Sequence, residues 1–417
     1  MKKFIDDFLA SNELEAFITG PAGSGKTTVL KEITSHLLSN EVNFIVTAFT
    51  HKAKQVLQSK LDSNIEIKTL HSWLKKRPTI NRNAKNIKVI MTNKQYGRPD
   101  FLRLLIVDEF SFVSEKDYFS IGELQDELEL MDLPEFKEGR LRPLKVLYVG
   151  DLNQLSPVKG YSAIEPYGKF WKKLTKVHRT DNDLINPLTT LVNIIEGKEK
   201  LRYLEPTDNF IRKADIIKEY KASKEQDKII LAFTNKAVQN INAEIKGRIM
   251  PKPGDTIYNS TFKRFFTIEK ITKTSKEAHT FLGTINEDTE YNPLKQLNND
   301  KNVQFYHTVE GLIIPAIFGS YSNKVLREDI ANKLVNANRK NDESLSHKYF
   351  RIYKCLNDYV SNIDFEYCIT VHKSQGSEFN EVFIDSKDFS NCINRKEMLK
   401  LLYVAISRAK NRAYLNT

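Results

Sequence analysis

Cysteine is scarce in this 417-residue chain: there are three, Cys355, Cys368 and Cys392, with no C-x-x-C pair. An odd count at that spacing supports neither a disulfide framework nor a zinc site, and a reducing compartment fits best. Long apolar runs are missing too. The longest, Gly311-Leu-Ile-Ile-Pro-Ala-Ile-Phe318, is under half of what a bilayer requires and is interrupted by Pro315, so it reads as a buried strand or short helix. No secretory leader is expected, because Met1-Lys-Lys-Phe-Ile-Asp-Asp puts two acids where an apolar stretch would run. These absences point to a cytoplasmic protein with no membrane contact. What is present bounds the class further. A composition of 40% hydrophobic and 28% charged residues excludes wholesale disorder, and the length excludes a single small module. At about 150 residues per domain, three domains or two with large insertions are expected. A net charge of +11 makes a polyanion the first partner to consider.

Short β-branched or aromatic runs recur along the chain, at 16–19, 43–47, 104–107 and 146–149, and again at 228–233, 367–371 and 381–384. Continuous apolar runs of that length suit strands buried on both faces, hence parallel α/β sheets, in two halves. Two interruptions stand out. Residues 75–103 hold nine basic side chains against one acid, Asp100, and carry most of the net charge. Residues 251–361 open with Pro251-Lys-Pro-Gly-Asp and alternate polar and apolar residues, which reads as an inserted, partly β subdomain. An acidic patch, 123–138, reads as a solvated helix plus loop. No internal repeat or low-complexity tract is evident.

Gly20-Pro21-Ala22-Gly23-Ser24-Gly25-Lys26-Thr27 matches G-x-x-x-x-G-K-[ST], directly after the run Phe17-Ile-Thr19 and before a helical stretch that opens on Thr28. That context suits a phosphate loop: glycines let backbone N–H groups curl around a β-phosphate at the positive end of a helix. Lys26 would reach the β- and γ-phosphates and the Thr27 hydroxyl would bind Mg²⁺. Leu104-Leu-Ile-Val-Asp108-Glu109 supplies two acids at a strand end, Asp108 for Mg²⁺ and Glu109 to take a proton from the attacking water. A Glu beside the Mg²⁺ ligand points to NTP hydrolysis. Downstream, Gly150-Asp-Leu-Asn-Gln154 offers a residue to sense the γ-phosphate or position water.

With Thr47-Ala-Phe-Thr-His-Lys-Ala-Lys54, Thr69-Leu-His-Ser72, Leu174-Thr-Lys-Val-His-Arg179, Ala232-Phe-Thr-Asn-Lys236, Thr370-Val-His-Lys-Ser-Gln-Gly376 and Leu402-Tyr-Val-Ala-Ile-Ser-Arg408-Ala, these motifs form an ordered series over residues 20–410. The series resembles superfamily 1 helicases, specifically the 5′-to-3′ branch of RecD-like enzymes that includes the phage Dda helicase. The resemblance implies two RecA-like P-loop NTPase domains, parallel sheets flanked by helices, at 1–180 and 181–417. It also implies two inserted subdomains: a basic β-hairpin-like pin within 75–103, with Tyr96 and Met91 as the candidates for its strand-splitting residue, and a small β-barrel within 251–361. ATP and Mg²⁺ would lie in the interdomain cleft, held by residues 20–28, Asp108, Glu109, Gln154, Arg179, Gly376, Glu378 and Arg408, with Arg408 as a finger from the second domain. Single-stranded DNA would contact Thr50, His51, Lys52, Thr69, His71, Thr370, His372 and Lys373. Partners implied are single-stranded DNA, duplex junctions and replication or recombination proteins, for a monomeric or weakly self-associating enzyme; a phage-encoded one would work in the host cytoplasm. One departure is that the family reads adenine with a Gln upstream of the phosphate loop, whereas the first Gln here is Gln55; backbone groups near residues 8–13, or relaxed selectivity, are the alternatives. A translocase or RNA helicase without DNA strand separation, and a P-loop kinase or switch, are the rival readings.

Overall fold

The computed structural model describes residues 1–416 apart from 50, 75, 81–88, 94–102, 131–143, 156–163, 176–182, 260, 263, 281–282, 287–292, 300–301 and 341. In chain order the first half contains Glu15–Thr19 (β1), Phe44–Ala48 (β2), Ile67–Thr69 (β3), Lys76–Ile80 (β4), Val89–Asn93 (β5), Leu104–Asp108 (β6), Lys145–Gly150 (β7) and Trp171–Lys173 (β8). Six of these form one sheet in the order β3-β2-β6-β7-β1-β8, every pairing parallel. Leu104, Leu105, Ile106 and Val107 of β6 are all fully buried, the reason this run reads as continuous rather than alternating. β4 and β5 form a separate antiparallel hairpin, registered from Lys76 opposite Asn93 to Ile80 opposite Val89, within the basic stretch.

The second half contains Phe210–Lys213 (β9), Lys228–Ala232 (β10), Thr256–Asn259 (β11), Arg264–Thr272 (β12), Glu277–Thr280 (β13), Gly283–Asn286 (β14), Gln304–Thr308 (β15), Ile313–Phe318 (β16), Ser361–Phe365 (β17), Cys368–Thr370 (β18), Phe379–Ile384 (β19) and Ala409–Asn416 (β20). The second parallel sheet runs β18-β10-β19-β20-β9. Between β10 and β18 the chain leaves the sheet to build a closed barrel of β11, β12, β15, β16 and β17. The fold is thus two RecA-like units with a hairpin insertion and a barrel insertion. The apolar run ending at Phe318 is β16. Pro315 sits opposite Phe305, just before the β17 pairing begins at Ala316, where its missing N–H removes no bond from that ladder.

The polar end of the 251–361 insertion is helical. Helices Ser320–Arg339 and Glu343–Tyr359 form the crossover that the parallel β16–β17 pair requires. The acidic patch begins inside helix Glu115–Leu130; its remainder lies outside the described residues. All three cysteines are free. Among the described residues no helix is long and apolar enough to cross a membrane.

Candidate active site between the two sheets

Parallel sheets deliver all their C-terminal strand ends to one edge, and the predicted motifs meet there. β1 ends on Thr19, residues 20–25 turn, and helix Lys26–Ser39 begins. Gly23 and Gly25 take left-handed φ of 77° and 82°, and a Cβ on Gly20 would lie 2.5 Å from Ser24 Oγ and 2.9 Å from the Leu174 carbonyl oxygen. Glycine is therefore demanded at these positions by geometry. Lys26 Nζ folds back and donates to the carbonyls of Gly20 (2.7 Å) and Pro21 (2.8 Å). Burial lowers its pKa, against the opposing pull of Asp151 and Asp108.

Across the loop, β6 ends on Asp108. Its own burial, then the neighbouring Glu109, push its carboxyl up to about 7, with Lys26 pulling the other way. Glu109 has φ 58° and ψ 45°, the left-handed region that a non-glycine side chain rarely adopts. Gln154, nearly buried, sits in a turn where its N–H donates to the Asp151 carbonyl at 3.2 Å and the Asn153 N–H donates to Asp151 Oδ1 at 2.9 Å.

A cleft of about 350 Å³ joins these groups to the second sheet: Gly23, Gly25, Lys26, Thr27, Thr28, Asp108, Glu109 and Gln154 face Gly376, Glu378 and Arg408. Arg408 follows helix Arg395–Ile406 and is held by its own unit, donating to the Val404 and Ser377 carbonyls (both 3.3 Å) and to Ser407 Oγ (2.9 Å). The residues fit a nucleotide with a divalent cation. Thr27 and Asp108 offer hard oxygen ligands, and Ser24 Oγ and Gln375 Nε2 are buried without a protein partner. Among the described residues no group of three or more His, Cys, Asp and Glu is placed to hold a metal ion. Arg179 lies outside the described residues.

The predicted polynucleotide contacts fall into two matching sets. Edge strands β3 and β18 end on Thr69 and Thr370, and each Thr caps a one-turn helix by accepting an N–H, from Ser72 at 3.2 Å and from Lys373 at 3.3 Å. Two residues on, His71 packs 5.8 Å from the Phe49 ring and His372 6.2 Å from the Phe233 ring. His71 also approaches Asp117 (3.3 Å), and burial lowers the His372 pKa. Phe49 and Phe233 follow the neighbouring strands β2 and β10, in Ala48-Phe-Thr-His-Lys-Ala53 and Ala232-Phe-Thr-Asn-Lys-Ala237. This is an internal repeat too short to register as periodicity, and aligning the two strand ends would have found both phenylalanines. Lys373 Nζ lies 3.7 Å from buried Asp364 of β17, tying the motif to the barrel. His51 and Lys52 stand in the first turn of helix His51–Lys60, while Thr50 and Tyr96 lie outside the described residues. The backbone at residues 8–13 is already engaged, since the buried Lys145 donates to the carbonyls of Ser11 and Glu13.

Residues 2–215 match the family described as AAA domain, and residues 365–416 the UvrD-like helicase C-terminal domain. The chain belongs to the superfamily 1 helicases. Within that superfamily it falls in the branch of RecD-like and Dda enzymes. It is 29% identical to the ATP-dependent DNA helicase Dda of Enterobacteria phage T4 over 58% of this chain and 54% of Dda. It is 25% identical to the RecBCD subunit RecD of Buchnera aphidicola over 94% of this chain and 69% of RecD. The fold is similar to that of a Pif1 helicase from a structure described as the basis for DNA unwinding at forked dsDNA by two coordinating Pif1 helicases (TM-score 0.50, 18% identity, 100% of this chain and 91% of that one). The match to Dda thus covers only about half of either protein.

Proposed function

We propose that this protein is an ATP-dependent, Mg²⁺-requiring DNA helicase that moves 5′ to 3′ on single-stranded DNA and separates duplex at a junction. The observation that carries the reading is the cleft in which the phosphate loop, Asp108, Glu109 and Gln154 of one sheet face Gly376, Glu378 and Arg408 of the other. In this reading residues 1–180 and 181–417 are the two RecA-like domains, with the pin inside 75–103 and the barrel inside 251–361.

Lys26 would exchange two carbonyls for the β- and γ-phosphates, which accept a stronger, charge-assisted bond. Thr27 and Asp108 would hold Mg²⁺, which neutralises charge building between those phosphates. Glu109 takes the proton of the attacking water while Gln154 orients it. Arg408, with Arg179, balances charge on the transferred phosphoryl group, so hydrolysis requires the two units to be closed. Single-stranded DNA would cross the paired Thr69/His71 and Thr370/His372 sites, with Thr50, His51 and Lys52 alongside. The hydroxyls suit phosphate oxygens and the His and Phe rings suit bases.

ATPase rate measured with and without oligo-dT, oligo-U and duplex DNA separates the rivals. Stimulation by oligo-dT supports the reading, stimulation by oligo-U alone favours an RNA-directed enzyme, and no stimulation favours a switch or kinase. A duplex with a 5′ single-stranded tail should be unwound, and efficient unwinding from a 3′ tail alone would overturn the polarity.

A further inference from the structure

We infer that Tyr403 is a positioning residue that links the phosphate loop and the Asp151–Gln154 turn to the helix that carries Arg408, and so couples cleft closure to hydrolysis. The inference rests on the nucleotide site proposed above. Tyr403 belongs to helix Arg395–Ile406 of the second unit, yet both partners of its hydroxyl belong to the first. It accepts from the Ala22 N–H of the phosphate loop at 2.9 Å and donates to Asp151 Oδ2 at 2.7 Å. The tyrosine is 1% exposed and Asp151 is 2% exposed. Burial and Asp151 push the phenol well above its ordinary pKa, so the hydroxyl remains a donor.

The far oxygen of Asp151 is bonded to the Asn153 N–H, and the Asp151 carbonyl to the Gln154 N–H. Leu155, next in the chain, is fully buried in the apolar cluster of the second unit beside Leu184, Leu401 and Tyr403. The turn bearing Gln154 is therefore held by the second unit at two points, one polar and one apolar. Arg408 stands five positions beyond Tyr403, so a rigid shift of that helix moves the arginine and the anchor of Gln154 together. An apolar cavity of about 470 Å³ adjoins the tyrosine, lined in part by Leu152, Leu174, Ile185 and Leu188. A phenylalanine ring fits the same space and removes only the two bonds.

The test is Tyr403→Phe, Asp151→Asn and the double variant. Each is assayed for binding of a fluorescent ADP analogue and for ATP hydrolysis with and without oligo-dT. Loss of a buried bond to a carboxylate predicts a fall of about 10-fold or more in kcat for Tyr403→Phe. The KM for ATP and the affinity for the ADP analogue should change less than about threefold, since Lys26 and Thr27 are untouched. Because the Tyr403–Asp151 bond is common to both variants, the double variant should lose less than the product of the two single losses. A kcat within twofold of the parent, losses that multiply in the double variant, or a loss of ADP affinity matching the loss of kcat would each overturn the assignment. Should Tyr403→Phe fail to fold, Asp151→Asn decides alone: reduced kcat with ADP affinity retained supports the link, and parental kcat refutes it. A parent enzyme that no polynucleotide stimulates would refute the proposed function, while the effect of Tyr403→Phe on unstimulated hydrolysis would still judge this residue.

Discussion

Glu109 is where the proposed chemistry and the backbone make opposite demands, and the conflict can be measured. Its φ of 58° and ψ of 45° cost a residue with a Cβ about 1–2 kcal/mol. Glu109→Gly removes that cost and returns about 0.5–1 kcal/mol through the greater freedom of glycine in the unfolded chain. The variant should therefore be as stable as the parent or about 1 kcal/mol more stable, a Tm rise of about 1 °C for a chain of this length. Glu109→Gln keeps the strained backbone and should leave Tm within about 1 °C. Both variants should lose about 10²-fold or more in kcat, with nucleotide still bound. Calorimetry without nucleotide, run beside an oligo-dT-stimulated ATPase assay and an ADP-analogue titration, reads all three quantities. A Tm drop of several degrees in Glu109→Gly would show that the side chain holds the fold and that the left-handed backbone is not retained for chemistry. Near-parental turnover in Glu109→Gln would refute its role as base.

Three further outcomes are expected. Arg408→Ala should cripple DNA-stimulated hydrolysis by about 10³-fold while leaving affinity for oligo-dT without nucleotide nearly intact; weakened DNA binding alone would reassign it to a phosphate contact. Replacing the β4–β5 hairpin beyond the Lys76–Asn93 pair with a short Gly-Ser turn should spare single-strand-stimulated ATPase and abolish unwinding. If lowering the salt restores unwinding, the hairpin contributes only charge and the wedge reading fails. Asp255 is raised by burial but lowered more by bonds from Lys246, the Lys252 N–H and Arg248, so its folded pKa lies below its unfolded value. Its stabilisation is full above the unfolded pKa near 4 and is lost as pH falls through the folded value. Asp255→Asn should thus cost about 2 kcal/mol near pH 7, and the Tm gap between variant and parent should close as pH falls through the folded value. A gap that persists below it would refute the ion-pair account.

The parts of this molecule legible in the sequence are those where one local cause sets both residue type and geometry. The phosphate loop is legible because Gly20 meets the Leu174 carbonyl and Gly23 and Gly25 take positive φ, so the motif and the shape are one constraint. β6 and β7 are legible because both faces are buried. β20 was not, because Lys410, Asn411 and Arg412 are exposed at its start and obscure the run that follows. The helices spanning 320–359 hid within a stretch whose polar composition resembles loop, and only the parallel β16–β17 pairing explains why a crossover must be there. The ion pair of Lys373 was not legible for a related reason: Asp364, its partner, belongs to the barrel rather than to its motif.

Tyr403 marks the limit of that legibility. Its bonds join it to partners 381 and 252 positions away, and nothing near residue 403 in the chain announces either. Motif spacing reports what a strand end must present to a ligand, because the backbone and the ligand are both local to it. A contact between units depends instead on how two sheets sit against each other, and the motif only shows that some aromatic residue precedes Arg408. The same asymmetry appears in the paired edge sites. Thr69 with His71 and Thr370 with His372 each lie within one unit, and both pairs were singled out only through the family resemblance. That they match, each with a phenylalanine from the adjoining strand, emerges only when β2–β3 and β10–β18 are compared as equivalent strand pairs. If a single strand is passed between two like sites, its direction of travel is set by which site loosens first when the cleft opens. The groups that sense opening are those anchored across it. Among the described residues those anchors include the hydroxyl of Tyr403 and the side chain of Leu155, both attached to the turn that carries Gln154.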